Sequence, residues 1–291
     1  MKDITRLLCM VLLSFLVVTG CSRRDILDDY PVSGVEVRLD WSGVTEKLPE
    51  GVRIIFYPKD EKGRKIDTYL SVTGGEVKVP SGHYAVVIYN YDTETVLIRG
   101  EESYETIQAY TNFCKLGIAG TEKMVWGPDP LYVVNIDDLD IQNSEETLIL
   151  KLKPKLVIRT YSFSIKVQGL SNVSNVIGSI GGMADHYFLG KAYAMCDDYP
   201  INIDLNVKAG KIEGVFTTFG LPEAIITRLE IKLPVMMNLM IVKVDNSVQE
   251  VKINITEAVQ EPTGGGEGGE GEETKPPALV EVEIEDEIKV D

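Results

Sequence analysis

Apolar and polar side chains change places at every second residue over much of this chain. Val35, Val37, Leu39 and Trp41 alternate with Glu36, Arg38 and Asp40. Ile201, Ile203, Leu205 and Val207 alternate with Asn202, Asp204, Asn206 and Lys208, and Val251, Ile253 and Ile255 with Lys252 and Asn254. Successive side chains of an extended strand point to opposite faces, so each run has one dry face and one wet face and requires a sheet packed on one side. Val52 to Tyr57 and Tyr84 to Tyr91 are apolar on both faces and predict central strands covered on two sides. Turn residues separate the runs, as in Asp60-Glu61-Lys62-Gly63, Gly74-Gly75, Pro80-Ser81-Gly82 and Gly127-Pro128-Asp129-Pro130. Long amphipathic helical patterns are missing. Short helices are expected only at 101–113 and 173–183. The fold class is therefore all-β, arranged as two tandem β-sandwich domains.

Pro154, between Lys153 and Lys155, cannot donate to a central ladder and marks the boundary. The expected organisation is an N-terminal sandwich over 31–153 and a C-terminal one over 155–261. Residues 262–277 are a Gly/Glu-rich flexible linker, because a run of glycines and like charges cannot bury a core. A terminal strand, 278–291, follows, with Val280, Val282 and Ile284 against Glu281, Glu283 and Glu285. It either folds back onto its own domain or is donated to a neighbouring subunit by strand addition.

Residues 1–20 are read as a cleaved export signal. Lys2 and Arg6 precede an apolar stretch from Leu7 to Val18, shorter than the ~20 residues that cross a bilayer, and small residues close it. Val18-Thr19-Gly20-Cys21 resembles the bacterial lipobox, which implies acylation of Cys21, cleavage before it and a lipidated tether over 21–30. Each buried methylene contributes ~0.8 kcal/mol, so two or three acyl chains hold the protein on a bilayer permanently. Cys9 leaves with the signal, and Cys114 and Cys196 are expected to remain separate thiols. The formal charge is −16, which argues against nucleic acid as a partner.

No constellation of catalytic groups emerges. His83 and His186 are the two histidines, and Asp185-His186 lacks a placed nucleophile. Gly178-Ser179-Ile180-Gly181 is not a nucleophile elbow, since Ile177 stands where glycine is needed. The glycines from Gly264 to Gly271 are not followed by Lys-Ser/Thr, so they form no phosphate loop. Acidic clusters at Asp28-Asp29, at Asp137-Asp138 with Asp140, and at Asp197-Asp198 lack calcium-loop spacing and read as solvated charge. The expectation is no enzyme activity, no cofactor and no metal, with Cys21 as the single site.

From Cys21 onward the motifs follow a recognisable order: Asp28-Asp29-Tyr30, then Asp40-Trp41, then Gly51-Val52-Arg53-Ile54-Ile55-Phe56-Tyr57-Pro58, then Val77-Lys78-Val79-Pro80-Ser81-Gly82-His83-Tyr84. This order resembles the fimbrillin-type surface lipoproteins, which include fimbrial anchor and minor subunits and relatives of unassigned function. The sharpest part is the Val-x-Val-Pro-x-Gly-x-Tyr hairpin. The resemblance implies two transthyretin-like, Greek-key sandwiches, an outer-membrane and surface location, and partnership with fimbrial subunits by strand addition. In the polymerising members an arginine-directed protease removes the first strand. This chain has no counterpart of that cleavage site, since Arg23-Arg24 adjoin the lipid and Arg53 lies in a strand run. The departure points to an anchor or accessory component of a fimbria-like adhesive assembly. The alternative is a surface lipoprotein that binds a glycan or nutrient, for which Tyr84, Tyr89 and Tyr91 would supply an exposed platform.

Overall fold

The computed structural model describes residues 32–45, 47–60, 63–114, 123–197, 199–208, 210–223, 234–259, 280–283 and 288–290. Cys21 and the expected linker at 262–277 lie outside them.

The first half of the chain, up to Pro154, supplies β1 (Val32–Leu39), β2 (Gly51–Pro58), β3 (Ile66–Ser71), β4 (Gly74–Pro80), β5 (Gly82–Asn90), β6 (Val96–Arg99), β7 (Gln108–Thr111), β8 (Phe113–Cys114), β9 (Met124–Val125), β10 (Tyr132–Ile141) and β11 (Leu148–Leu152). The second supplies β12 (Lys155–Leu156), β13 (Arg159–Gln168), β14 (Val173–Gly181), β15 (His186–Phe188), β16 (Tyr193–Met195), β17 (Ile201–Lys208), β18 (Lys211–Thr218), β19 (Met236–Lys243), β20 (Val248–Asn254), a one-turn helix α1 (Thr256–Val259), β21 (Val280–Glu283) and β22 (Ile288–Lys289).

Eight strands form the first sheet in the order β11-β1-β4-β3-β2-β5-β10-β12. β1 runs antiparallel to β4 and parallel to β11, so this strand is bonded on both flanks. Gly74 takes φ of 102° at the β3–β4 turn, where a Cβ would stand 2.0 Å from the Val37 carbonyl oxygen. Glycine is required there on both counts.

The two-sided apolar runs at β2 and β5 are explained by two cores. Ile54, Phe56, Val86 and Ile88 face a core completed by Val35, Val37 and Tyr132. Their neighbours Ile55, Tyr57, Val87 and Tyr89 face a second core with Val96, Ile107, Ala109, Leu189 and Phe219. Each fully buried isoleucine in these layers contributes ~1.5–3 kcal/mol.

The layer covering that second face is a four-stranded sheet, β16-β15-β7-β6. It draws β6 and β7 from one side of Pro154 and β15 and β16 from the other, with Tyr187 opposite Ala109. The exchange is reciprocal. β8 and β9 leave the first half to join the ten-stranded second sheet, where Val125 pairs in parallel with Ile201. β12, beyond Pro154, pairs with β10 in the first sheet. The contact between halves is close: a Cβ on Gly190 would stand 2.1 Å from the Tyr104 carbonyl oxygen.

The main path of the second sheet is β20-β19-β14-β17-β18-β13-β21. It encloses a third core of Tyr161, Phe163, Ile165, Ile180, Met237, Leu239, Ile241 and Ile253, joined by Val125 from β9. The terminal segment is folded back as β21 and β22, both parallel to β13, with Tyr161 opposite Val280 and Val167 opposite Ile288. The Gln249 amide donates to the Lys289 carbonyl at 2.9 Å, tying β20 to this segment.

Both expected short helices are strands or turns. After a turn in which the Ser103 carbonyl accepts from the Thr106 and Ile107 amides, Gln108–Thr111 is extended. Ile107, Ala109 and Thr111 are buried and alternate with half-buried Gln108 and Tyr110, which is a strand period. Within 173–183, Val173–Gly181 is β14, paired with β19 along its length. Its β-branched Val173, Val176, Ile177 and Ile180, with glycines at 178 and 181, disfavour helix and suit a pleated surface.

Candidate functional site

The residues singled out by sequence fall in separate places, and only some converge. His83 is exposed at the start of β5, with Nδ1 3.4 Å from Asp138 Oδ1 and Nε2 3.7 Å from Asp140 Oδ1. Asp138 reaches it through an irregularity in β10 between Ile136 and Leu139. Lys59 Nζ lies 3.0 Å from the same Asp138 oxygen and is the main reason that carboxyl is held below its ordinary range. This is an exposed surface cluster in which the Lys59 ammonium pairs with Asp138 beside the His83 ring.

Tyr84 and Tyr89 are buried, at 2% exposure each. Tyr91, outside the strand, is exposed and meets the Tyr69 ring edge-on at 5.2 Å. The tyrosines of this run therefore do not form the continuous exposed platform that a glycan site there would need. Ser179 lies within β14 opposite Asn202 and Asn238, in regular ladder geometry rather than on a strained turn.

At the junction of the first sheet and the small sheet, Arg53 acts as a hub that sequence reasoning missed. Its guanidinium contacts Glu101 at 2.6 Å, Asp67 at 2.7 Å and the Tyr89 hydroxyl at 2.8 Å. Those partners, Asp67 first, raise the guanidinium pKa further and keep it charged. The Tyr57 hydroxyl donates to the Glu101 carbonyl at 3.0 Å, and burial pushes the Tyr57 and Tyr89 phenols upward. An arginine inside an apolar strand run was the available signal, since a cation there must be paired. A recess of about 620 Å³ beside it is lined by Lys59, Lys65, Lys191, Glu102, Glu105 and Asp137. Lys191 pairs with Glu105 at 2.8 Å, and Tyr104 donates to Asp137 at 2.8 Å.

Among the described residues, buried titratable groups also converge at the base of the β15–β16 hairpin. His186 and Asp185 are buried, at 4% and 6% exposure. His186 Nδ1 is 2.6 Å from Asp185 Oδ1, while Asp185 Oδ2 accepts from the backbone amides of Asp197 at 2.9 Å and Tyr199 at 3.4 Å. Asp197 Oδ2 stands 3.9 Å from the same ring nitrogen. The hairpin register sets His186 opposite Met195, which brings Asp185 and Asp197 to the same end. No serine or cysteine nucleophile is bonded to the imidazole in the contacts of the described residues. Cys114 and Cys196 are not disulfide-bonded; Cys114 is buried and Cys196 half-buried.

An all-β scaffold of packed sheets places this molecule among the fimbrial-anchor and adhesin-like folds. Its fold is shared with the fimbrial anchor protein Mfa2 of Porphyromonas gingivalis (14% identity, TM-score 0.51, 79% of this chain and 86% of that one). A much nearer structure, described as a putative adhesin from Bacteroides ovatus, superposes with TM-score 0.78 at 48% identity over 94% of this chain and 97% of that one. The chain belongs to the family whose model is described as domain of unknown function DUF5119, matched over residues 20–204. A relative from Bacteroides ovatus, named "Putative fimbrium anchoring subunit Fim4B", is 50% identical across 97% of this chain and 88% of its own length.

Proposed function

We propose that this protein is the anchoring component of a fimbria-like adhesive assembly on the outer membrane, fixed by acyl chains on Cys21 and engaging fimbrial subunits through strand addition. The observation that carries the reading is the 50% identity to the fimbrium anchoring relative along nearly the whole chain. The state of β1 supports an anchor over a shaft subunit. A strand that is to be excised must be released from its neighbours, and β1 is bonded to β4 on one side and β11 on the other, with Val35 and Val37 fully buried. Its role in the assembly is mechanical and non-enzymatic. The terminal segment is the candidate donor, because β21 and β22 pair only with β13 among the described strands and are joined to the fold through 260–279.

The test is capture of the tagged chain from its native membrane, with and without residues 278–291. Fimbrial subunits that co-purify with the full chain and are lost on truncation are the expected result; unchanged partners would remove strand donation from the reading, and absence of fimbrial subunits from both would remove the fimbrial role. Metabolic labelling with a palmitate analogue, abolished by Cys21→Ala, tests the lipid anchor separately.

A further inference from the structure

Asp185-His186 and Asp197 are distant features in sequence that the β15–β16 hairpin brings to one point. We propose that Asp185, His186 and Asp197 form a binding site for a transition-metal dication of the Zn2+ class, which cross-braces the small sheet where the two halves of the chain meet.

The donor atoms, one from each residue, all lie within 4.8 Å of one another. One imidazole nitrogen with two carboxylate oxygens suits Zn2+ or a neighbouring first-row dication, whereas Ca2+ and Mg2+ prefer oxygen donors throughout. The buried pair is prearranged. Asp185 Oδ2 is occupied by the amides of Asp197 and Tyr199, which fixes the carboxylate with Oδ1 toward the ring. Outer hydrogen bonds of this kind orient metal ligands. The His186 ring is flanked by Phe188, with centroids 5.6 Å apart.

Asp197 supplies the open side. Its Oδ2 faces Nδ1 at 3.9 Å, beyond hydrogen-bonding distance, with a half-exposed side chain that leaves an entry path. The Arg99 guanidinium stands 3.8 Å from Asp197 and offsets one of the two carboxylate charges, while also bonding Gln108 and lying 4.7 Å over the Tyr110 ring. The remaining negative charge favours a cation. Coordination at Nδ1 uses the neutral ring with its proton on Nε2, so the ion takes the place of the Nδ1–Asp185 Oδ1 hydrogen bond. Two donors on tetrahedral zinc are roughly 3.3 Å apart, so the ring and Asp185 must part by about 0.7 Å from their 2.6 Å separation.

The location gives the site its consequence. His186 pairs with Tyr110 of β7 on one side and Met195 of β16 on the other, so a metal here locks the hairpin that covers the second core.

The test uses the tag-free chain after chelator treatment, titrated with ZnCl2 by calorimetry, with CaCl2 for comparison and thermal unfolding as a second readout. The expected result is one saturable Zn2+ per chain with a raised unfolding midpoint, no equivalent effect of Ca2+, and binding weakened at least about 10-fold in Asp197→Asn, whose metal-free midpoint stays at the wild-type value. No saturable zinc, equal binding by Asp197→Asn, or an equal response to Ca2+ would overturn the proposal. Should Asp197→Asn fold poorly, Co2+ absorption of the wild-type chain decides: a bound-ion visible spectrum, lost in His186→Gln, supports the site, and its absence refutes it.

Discussion

Val125 and Ile201 lie side by side in parallel register, although they come from opposite sides of Pro154. With Tyr187 set against Ala109 in the reverse exchange, neither half can complete its sheets alone. The chain should therefore unfold as one unit. Trp41 belongs to the first sheet's core and Trp126 follows β9, so Trp126→Phe and Trp41→Phe leave a single reporter in each region. In urea, fluorescence of each variant is expected to follow its far-UV circular dichroism, in one coincident transition. A fluorescence change that precedes or trails the circular dichroism would separate the halves.

Arg53 holds the turn at 101–106 to the first sheet through Glu101 while also pairing with Asp67. Replacement by methionine keeps the stem but strands two half-buried carboxylates, and is expected to cost about 2–3 kcal/mol. Arg53→Lys should recover less than half of that, because an ammonium cannot fork to both carboxylates and the Tyr89 hydroxyl. Chemical denaturation of the three proteins measures the difference.

Burial raises the phenol pKa values of Tyr57, Tyr89 and Tyr104 above their ordinary range. The neutral forms are thus favoured in the folded state, so these groups contribute stability that is intact below the unfolded phenol pKa, about 10, and is lost as pH rises through that value toward the folded ones. Denaturation midpoints should fall progressively above about pH 9–10. Phenolate absorbance of the folded chain should lag behind that of the urea-unfolded chain across the same range.

The Cys114 thiol is pushed upward by burial, whereas Cys196 is half-buried in the segment after β16. Thiolate is the reacting species, so alkylation of the native protein is expected to mark Cys196 first and Cys114 only on denaturation. Peptide mass spectrometry after a short exposure to iodoacetamide reads the ratio directly.

Local pattern carried the strands and missed their exchange. The two-sided burial of β2 and β5 was legible because Val52 to Tyr57 and Tyr84 to Asn90 leave no wet face. Gln108–Thr111 carries no strand signature of its own, because four residues are too few to declare a period without Val96–Arg99 beside them. The pairing of β9 with β17 has no local signature, since two-residue strands are specified by the sheet they join. Asp185, His186 and Asp197 were each visible, but their meeting depends on the hairpin register. The Tyr187-Phe188 and Tyr193-Ala194 runs around Gly190 were the available hint.

The double bonding of β1 also sets how the molecule answers a pull. A force applied through the chain before Val32 acts along the strand axis, and it loads the ladders to Gly74–Pro80 and Leu148–Leu152 together. Those bonds must then slide in shear at the same moment, instead of opening one after another like a zip. Under the anchoring role proposed above, with the tether at Cys21, that resistance lies at the loaded end of the described fold.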